Sequence, residues 1–99
     1  MLNIKKNAEG KELKIALEGR LDTTTAPQLE EEVMAGIEGI ETLVFDIADL
    51  EYISSAGLRV LLAAQKIMNK QGSMVVKNVS EVIQEIFDVT GFADILTIE

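Results

Sequence analysis

The sequence lacks cysteine and histidine altogether, and it contains a single proline among its 99 residues. Without cysteine the chain has no thiolate nucleophile. Without histidine it has no imidazole base, no histidine metal ligand and no phosphohistidine. The scarcity of proline argues against a disordered or linker-like chain. These absences exclude thiol chemistry, histidine-ligated metals and histidine phosphorelay within this sequence.

Charge and length narrow the classes further. The net charge is −8, with acidic residues spread along the chain, so phosphate backbones and anionic lipid are unfavourable partners. Ninety-nine residues, 47% of them apolar, predict one packed domain over residues 1–99. No apolar run approaches the ~20 residues of a bilayer span, and the amino terminus lacks the order of a signal peptide. We therefore expect a cytoplasmic protein without nucleic-acid binding or direct membrane insertion.

The apolar pattern predicts an α/β fold. Residues 2–7 and 12–18 indicate a hairpin, and residues 43–45 and 74–76 indicate two buried strands. A helix from residue 55 to about 68 lies between them, which implies a parallel crossover. A further helix after Ser80 and a last strand over residues 95–98 complete the order β, β, α, β, α, β, α, β. The prediction is a mixed β-sheet of about four to five strands with three or four helices packed on it.

The first helix has a recognisable start. Thr25 is the predicted N-cap, with Gln28 as its reciprocal capping partner and Pro27 in the first turn. Its predicted apolar stripe comprises Leu29, Val33, Met34 and Ile37.

The most informative stretch follows the third strand. That strand should end at Asp46, and a loop over residues 47–54 should lie at the carboxyl edge of the sheet. Serine is a common N-cap residue, so helix capping alone explains a serine at position 54 or 55. Gly57 would let another molecule approach the backbone, and the free amides of residues 56–58 would favour an anion on Ser55. Arg59, one turn further on, could pair with a phosphate there.

The helix that follows has two predicted faces. We assign one stripe to the sheet, comprising Val60, Leu61, Ala64, Ile67 and Met68, and the opposite side to Ser55, Leu58, Arg59, Leu62, Gln65, Lys66 and Asn69. Leu58 and Leu62 are one turn apart beside Ser55, and two interpretations of this apolar pair are open. It is either a docking patch for another protein or a surface that another helix of the domain buries.

Several segments resemble one known family. YISSAGLRVL at residues 52–61, preceded by LVFDI at 43–47, is similar to the signature of the STAS domain, the fold of bacterial anti-sigma factor antagonists. LEGRLD at residues 17–22 and VTGF at 89–92 resemble its flanking segments. The resemblance implies that Ser55 is phosphorylated by an anti-sigma factor serine kinase. The unphosphorylated form would bind the kinase and free the sigma factor, and a PP2C-type phosphatase would reset the cycle.

The same resemblance implies a partner-binding surface around that serine. It comprises Asp22, Thr23, Thr24, Ser54, Ser55, Gly57, Leu58, Arg59 and Leu62. Ser54 stands where many antagonists have aspartate, which leaves open the choice between two adjacent serines. A phosphate would join a surface already holding Asp46, Asp49 and Glu51, so we expect repulsion to weaken partner binding.

The same residues do not favour a catalytic or nucleotide-binding function. A nucleophilic serine at a strand-to-helix turn normally has glycines on both sides and a histidine base. Ile53 and Gly57 do not fit that spacing and no histidine exists, although Lys66 is formally possible as a base. No glycine-rich phosphate loop indicates nucleotide binding. We therefore predict a non-enzyme with no cofactor and no metal. The alternative is a STAS scaffold or accessory subunit of a signalling or lipid-transport complex, without a phosphorylation cycle.

Overall fold

The fold alternates strands with helices after an initial hairpin. The structure, a computed structural model, describes residues 2–99. Its elements are β1 (Leu2–Glu9), β2 (Glu12–Leu21), α1 (Ala26–Gly36), β3 (Thr42–Ile53), α2 (Ser55–Gln71), β4 (Ser73–Lys77), α3 (Glu81–Thr90) and a 3-10 turn at Phe92–Asp94. Within residues 2–99, no helix is both long and apolar enough to cross a bilayer.

The four strands form one mixed sheet in the order β1-β2-β3-β4. Strand β1 is antiparallel to β2, and β2, β3 and β4 are mutually parallel. This arrangement confirms the predicted α/β class, the hairpin and the crossover. The predicted last strand over residues 95–98 is wrong, because only Ile98 forms an isolated bridge, to Val76.

The core lies where alternating strand residues meet the helices. In β2, Leu13, Ile15 and Leu17 are buried while their neighbours are exposed or half-buried, as a strand with one wet face requires. The flanking β3 contributes Leu43 and Phe45 to the same apolar cluster. This packing fixes the carboxyl edge of the parallel strands, from which α1 and α2 begin.

Strand β3 is longer than the sequence predicted. It continues to Ile53, so residues 47–53 of the loop expected over residues 47–54 are strand. The pairing register with β2 shifts twice, between Ala16 and Glu18 and between Gly19 and Arg20, with one extra β3 residue at each shift. At a bulge of this kind the extra residue delays the next inward-facing position by one, so the spacing between buried residues rises from two to three. Accordingly the buried residues here are Ile47, Leu50 and Ile53, three apart.

Helix α1 begins after Thr25, as predicted, but without the predicted reciprocal cap. The Thr25 side chain makes no cap bond within α1. Its hydroxyl instead donates to the Arg20 carbonyl at 2.9 Å and accepts from the Asp22 amide at 2.8 Å. The side chain thus ties the end of β2 to the helix. Leu29, Val33 and Ile37 are buried as predicted, whereas Met34 is 40% exposed.

Candidate functional site

Two chain segments meet at the carboxyl edge of the sheet. The amide of Ser54, at the end of β3, donates to the Leu21 carbonyl at the end of β2 at 2.8 Å. The loop after β2 therefore lies beside the start of α2. Between the starts of α1 and α2 lies an open groove of about 180 Å³, lined by Thr23, Ala26, Pro27, Glu30, Ala56, Arg59 and Val60.

The two adjacent serines have different positions. Ser54 is the N-cap of α2: its backbone is extended, and its hydroxyl accepts from the Gly57 amide at 3.4 Å. Ser55 is the first residue of the helix, and its side chain is exposed. Within residues 2–99 its hydroxyl makes no side-chain hydrogen bond. Because Ser54 supplies the cap, the Ser55 hydroxyl is free for chemistry.

Replacing the capping serine should cost stability without touching Ser55. We expect Ser54→Ala to lower the free energy of unfolding by about 0.5–1 kcal/mol, at the weak end for N-caps because the bond is long. Urea denaturation of Ser54→Ala, Ser55→Ala and Ser54→Asp measures this. Ser55→Ala should be nearly neutral, and Ser54→Asp should retain the cap. Equal losses for both alanine variants would contradict the assignment.

The loop after β2 is organised by one carboxylate. Asp22 Oδ1 accepts from the Thr24 hydroxyl at 2.7 Å, from the Thr24 amide at 3.0 Å and from the Thr25 amide at 3.2 Å. These donors, the Thr24 hydroxyl first, hold the pKa of Asp22 below its ordinary value. Thr23 and Thr24 are both exposed, and Thr23 lines the groove.

The pKa of Asp22 should respond to removal of the Thr24 hydroxyl. We expect Thr24→Val to raise this pKa toward its ordinary value, with Thr23→Val as the matched control because that hydroxyl does not donate to Asp22. Because the pKa of Asp22 is lower in the folded than in the unfolded state, its ionised carboxylate stabilises the fold at pH values above the unfolded-state pKa. This stabilisation is lost as the pH falls through the folded-state pKa. Wild-type protein should therefore lose this contribution only in acid, below about pH 4. NMR titration of the carboxyl carbon measures the pKa of Asp22. Equal effects of both variants on this pKa would contradict the role of the Thr24 hydroxyl.

The predicted outward-facing leucine pair is only partly exposed. Leu58 is 4% exposed and belongs to the core cluster, so its predicted place on an exposed docking patch is wrong. Leu62 is half-buried. Gln65, also assigned to the outer face, is buried. The reason is geometric: the buried residues of α2 cover an arc of about 160° at ~100° per residue, wider than the stripe assumed from the sequence. The second open interpretation, burial by the domain itself, holds for Leu58.

Gly57 does not open the backbone to another molecule. It is buried, and a Cβ placed on it would lie 2.6 Å from Leu21 Cγ and 2.9 Å from Ile53 Cγ1. The glycine is therefore required by internal packing. Two of the three amides predicted as free are also used, since Gly57 N donates to the Ser54 hydroxyl and Leu58 N to the Ser54 carbonyl at 2.9 Å. The amide of Ala56 is the one left toward an anion.

Asp46, the first of the three acidic residues that precede the serine, lies far from it along β3. Along β3, Asp46 lies roughly 20 Å before Ile53, the last residue of the strand, at ~3.3 Å per residue. There its Oδ1 accepts from Asn78 Nδ2 and the Ala48 amide, each at 3.1 Å, and the Asn78 bond is the main cause of its lowered pKa. Asp49 and Glu51 are exposed. Within residues 2–99, no group of three acidic side chains is placed to hold a metal ion.

Two residues at this edge were not among the predicted site residues. The Arg20 guanidinium lies 4.5 Å from the Tyr52 ring centroid, and Arg20 Nε is 4.0 Å from Asp22 Oδ2. Arg20 and Tyr52 are paired across β2 and β3, and both are exposed. The feature of the sequence that could have indicated them is their position. Each lies one residue before the buried residue that ends its strand, Leu21 in β2 and Ile53 in β3.

Comparison with known proteins identifies the family. The family model described as the STAS domain matches residues 3–99. The chain belongs to the STAS domain family, as the sequence resemblance predicted. It is 31% identical to the anti-sigma-B factor antagonist of Bacillus subtilis over 98 residues, which cover 98% of this chain and 90% of that protein.

Solved structures agree with the fold. The crystal structure of an anti-sigma factor antagonist from Mycobacterium paratuberculosis superposes with a TM-score of 0.89 at 21% identity, covering 99% of this chain and 85% of that one. The Bacillus protein SpoIIAA superposes with TM-scores of 0.85 in its unphosphorylated form and 0.77 in its phosphorylated form, both at 17% identity. Both superpositions cover 98% of this chain. They cover 88% of the unphosphorylated SpoIIAA chain and 91% of the phosphorylated one.

Proposed function

We propose that this chain is an anti-sigma factor antagonist whose binding to an anti-sigma factor serine kinase is controlled by phosphorylation of Ser55. The exposed hydroxyl at the first position of α2 carries the proposal, because Ser54 already caps the helix. The chain would act as a binding protein and as the substrate of the kinase. A PP2C-type phosphatase would remove the phosphate and restore binding.

The surface for the kinase is the edge where the two segments meet. It consists of Asp22, Thr23 and Thr24 on the loop, with Ser54, Ser55 and Arg59 at the start of α2 and the half-buried Leu62 beside them. Gly57 and Leu58 contribute from within, by packing beneath this surface. Arg20 and Tyr52 extend it at the rim, and arginine and tyrosine are residue types enriched among strong contributors to interfaces.

Ser54 in place of aspartate is compatible with the cycle. Serine and aspartate are both strong N-cap residues, so either one can hold the start of α2 and leave the next side chain exposed. The substitution therefore keeps the geometry that presents Ser55. The similar proteins support the same function, since the Bacillus subtilis relative is an anti-sigma-B factor antagonist and the structure of SpoIIAA is known in unphosphorylated and phosphorylated forms.

Phosphorylation by the cognate kinase tests the proposal directly. Purified wild-type protein, Ser54→Ala and Ser55→Ala are incubated with the kinase and ATP, and the modified residue is identified by mass spectrometry. We expect one phosphate on Ser55 in the wild type and in Ser54→Ala, and none in Ser55→Ala. Phosphate on Ser54 would move the switch to the neighbouring residue. Stable kinase binding without any phosphate would favour the scaffold or accessory function instead.

A further inference from the structure

The charge of helix α2 is opposite to that of the chain as a whole. The helix contains Arg59, Lys66 and Lys70 and no carboxylate, in a protein whose net charge is −8. Helices α1 and α3 each contain three acidic residues and no cation. Average composition therefore does not explain the basic character of α2.

The three cations form one line on the exposed side of the helix. At ~100° per residue, Lys66 and Lys70 lie about 20° to either side of Arg59, and Ser55 lies about 40° away. All four side chains are exposed. The three cations, which we call the basic stripe, span about 16 Å at ~1.5 Å per residue. Ser55 stands at the amino-terminal end of this stripe.

Carboxylates of the chain itself do not neutralise the basic stripe. Four of the six cations elsewhere pair within 4.0 Å, in Lys6–Glu32, Lys11–Glu41, Arg20–Asp22 and Lys77–Glu99. Among residues 2–99, no such pair includes a member of the stripe. The helix dipole favours Lys70 in the last turn, but it disfavours Arg59 near the amino end and does little for Lys66 in the middle.

We propose that the basic stripe extends the kinase-binding surface along α2 and contacts an acidic face of that kinase. This inference rests on the proposed function, because it names the chemistry of the same partner. A protein surface suits three cations in a line better than a nucleic acid does, since the remainder of this chain would repel an extended polyanion. A phosphate on Ser55 would then face the carboxylates of the kinase and compete with them for Arg59.

Charge reversal along the stripe provides the test. We expect Lys66→Glu combined with Lys70→Glu to lower the affinity for the cognate kinase about tenfold, mainly through slower association at low salt. Lys5→Glu combined with Lys14→Glu is the matched control. Both control lysines are exposed on strands β1 and β2, and the change in net charge is the same. Circular dichroism checks folding, and Lys66→Gln with Lys70→Gln is a milder second variant.

Four results separate the possibilities. A loss specific to the α2 variants, smaller at high salt, supports the stripe. Equal affinity in all variants, or equal loss in both reversed pairs, overturns the stripe while leaving the proposed function intact. Failure of the wild-type chain to bind the kinase refutes the proposed function and the stripe together. Binding of a labelled DNA duplex that only the α2 reversal abolishes, with kinase binding unchanged, assigns the stripe to nucleic acid and also overturns the inference.

Discussion

Ser55→Asp is expected to lower the affinity for the anti-sigma factor kinase about 100-fold, or ~2.7 kcal/mol, while the domain stays folded. The side chain is exposed at the first position of α2, so a carboxylate there disrupts no internal contact. A negative charge near a helix amino terminus is also mildly stabilising. In the complex, however, the same charge would be desolvated and placed against the partner, which costs several kcal/mol when it is unpaired.

The comparison requires variants that separate charge from position. Titration calorimetry against the kinase is run on the wild type, Ser55→Asp and Ser55→Asn, with Ser73→Asp as the control. Asparagine has almost the shape of aspartate without its charge. Ser73 is an exposed serine at the start of β4, at the opposite edge of the sheet from Ser55. An equal loss for Ser73→Asp, or a Ser55→Asp protein that is unfolded by circular dichroism, would contradict a local electrostatic switch.

The parts of the fold that follow simple periodicity were predictable. Strand β2 alternates buried and exposed residues, and its pattern gave the strand and its wet face. The carboxyl half of β3 was not predictable in this way, because two register shifts place its buried residues, Ile47, Leu50 and Ile53, three apart. A spacing of three matches neither a regular strand nor a helix over so short a stretch. The sequence therefore suggested a loop.

The candidate site was predictable in composition and less so in orientation. The sequence indicated that one serine caps α2 and that its neighbour is exposed, but only the backbone assigns the cap to Ser54. Leu58 was misplaced because the buried arc of α2 is wider than a single sheet-facing stripe. Such width depends on how many elements pack around a helix, and that number is a property of tertiary structure.

Gly57→Ala is expected to destabilise the domain by about 1–3 kcal/mol. Alanine has the higher helix propensity, by up to ~1 kcal/mol, so an exposed glycine would gain stability from this change. At this position the added Cβ would lie 2.6 Å from Leu21 Cγ, which is too close for any real contact. Leu21 and Ile53 are both almost fully buried, so they cannot move aside without disturbing the core.

The sign of this change decides between two explanations of the glycine. If Gly57 admitted a partner to the backbone, Gly57→Ala would stabilise the free protein and weaken kinase binding. If internal packing requires it, stability falls in urea denaturation while the folded fraction binds normally. Gly36→Ala is the matched control: it is also helical, but its nearest neighbours would be Leu13 Cδ2 at 3.3 Å and Lys6 Nζ at 4.0 Å. Leu21→Ala alone should cost about 2–5 kcal/mol because Leu21 is fully buried. The loss in the Gly57→Ala, Leu21→Ala double variant should be smaller than the sum of the two single losses, because the shortened side chain leaves room for the new methyl group.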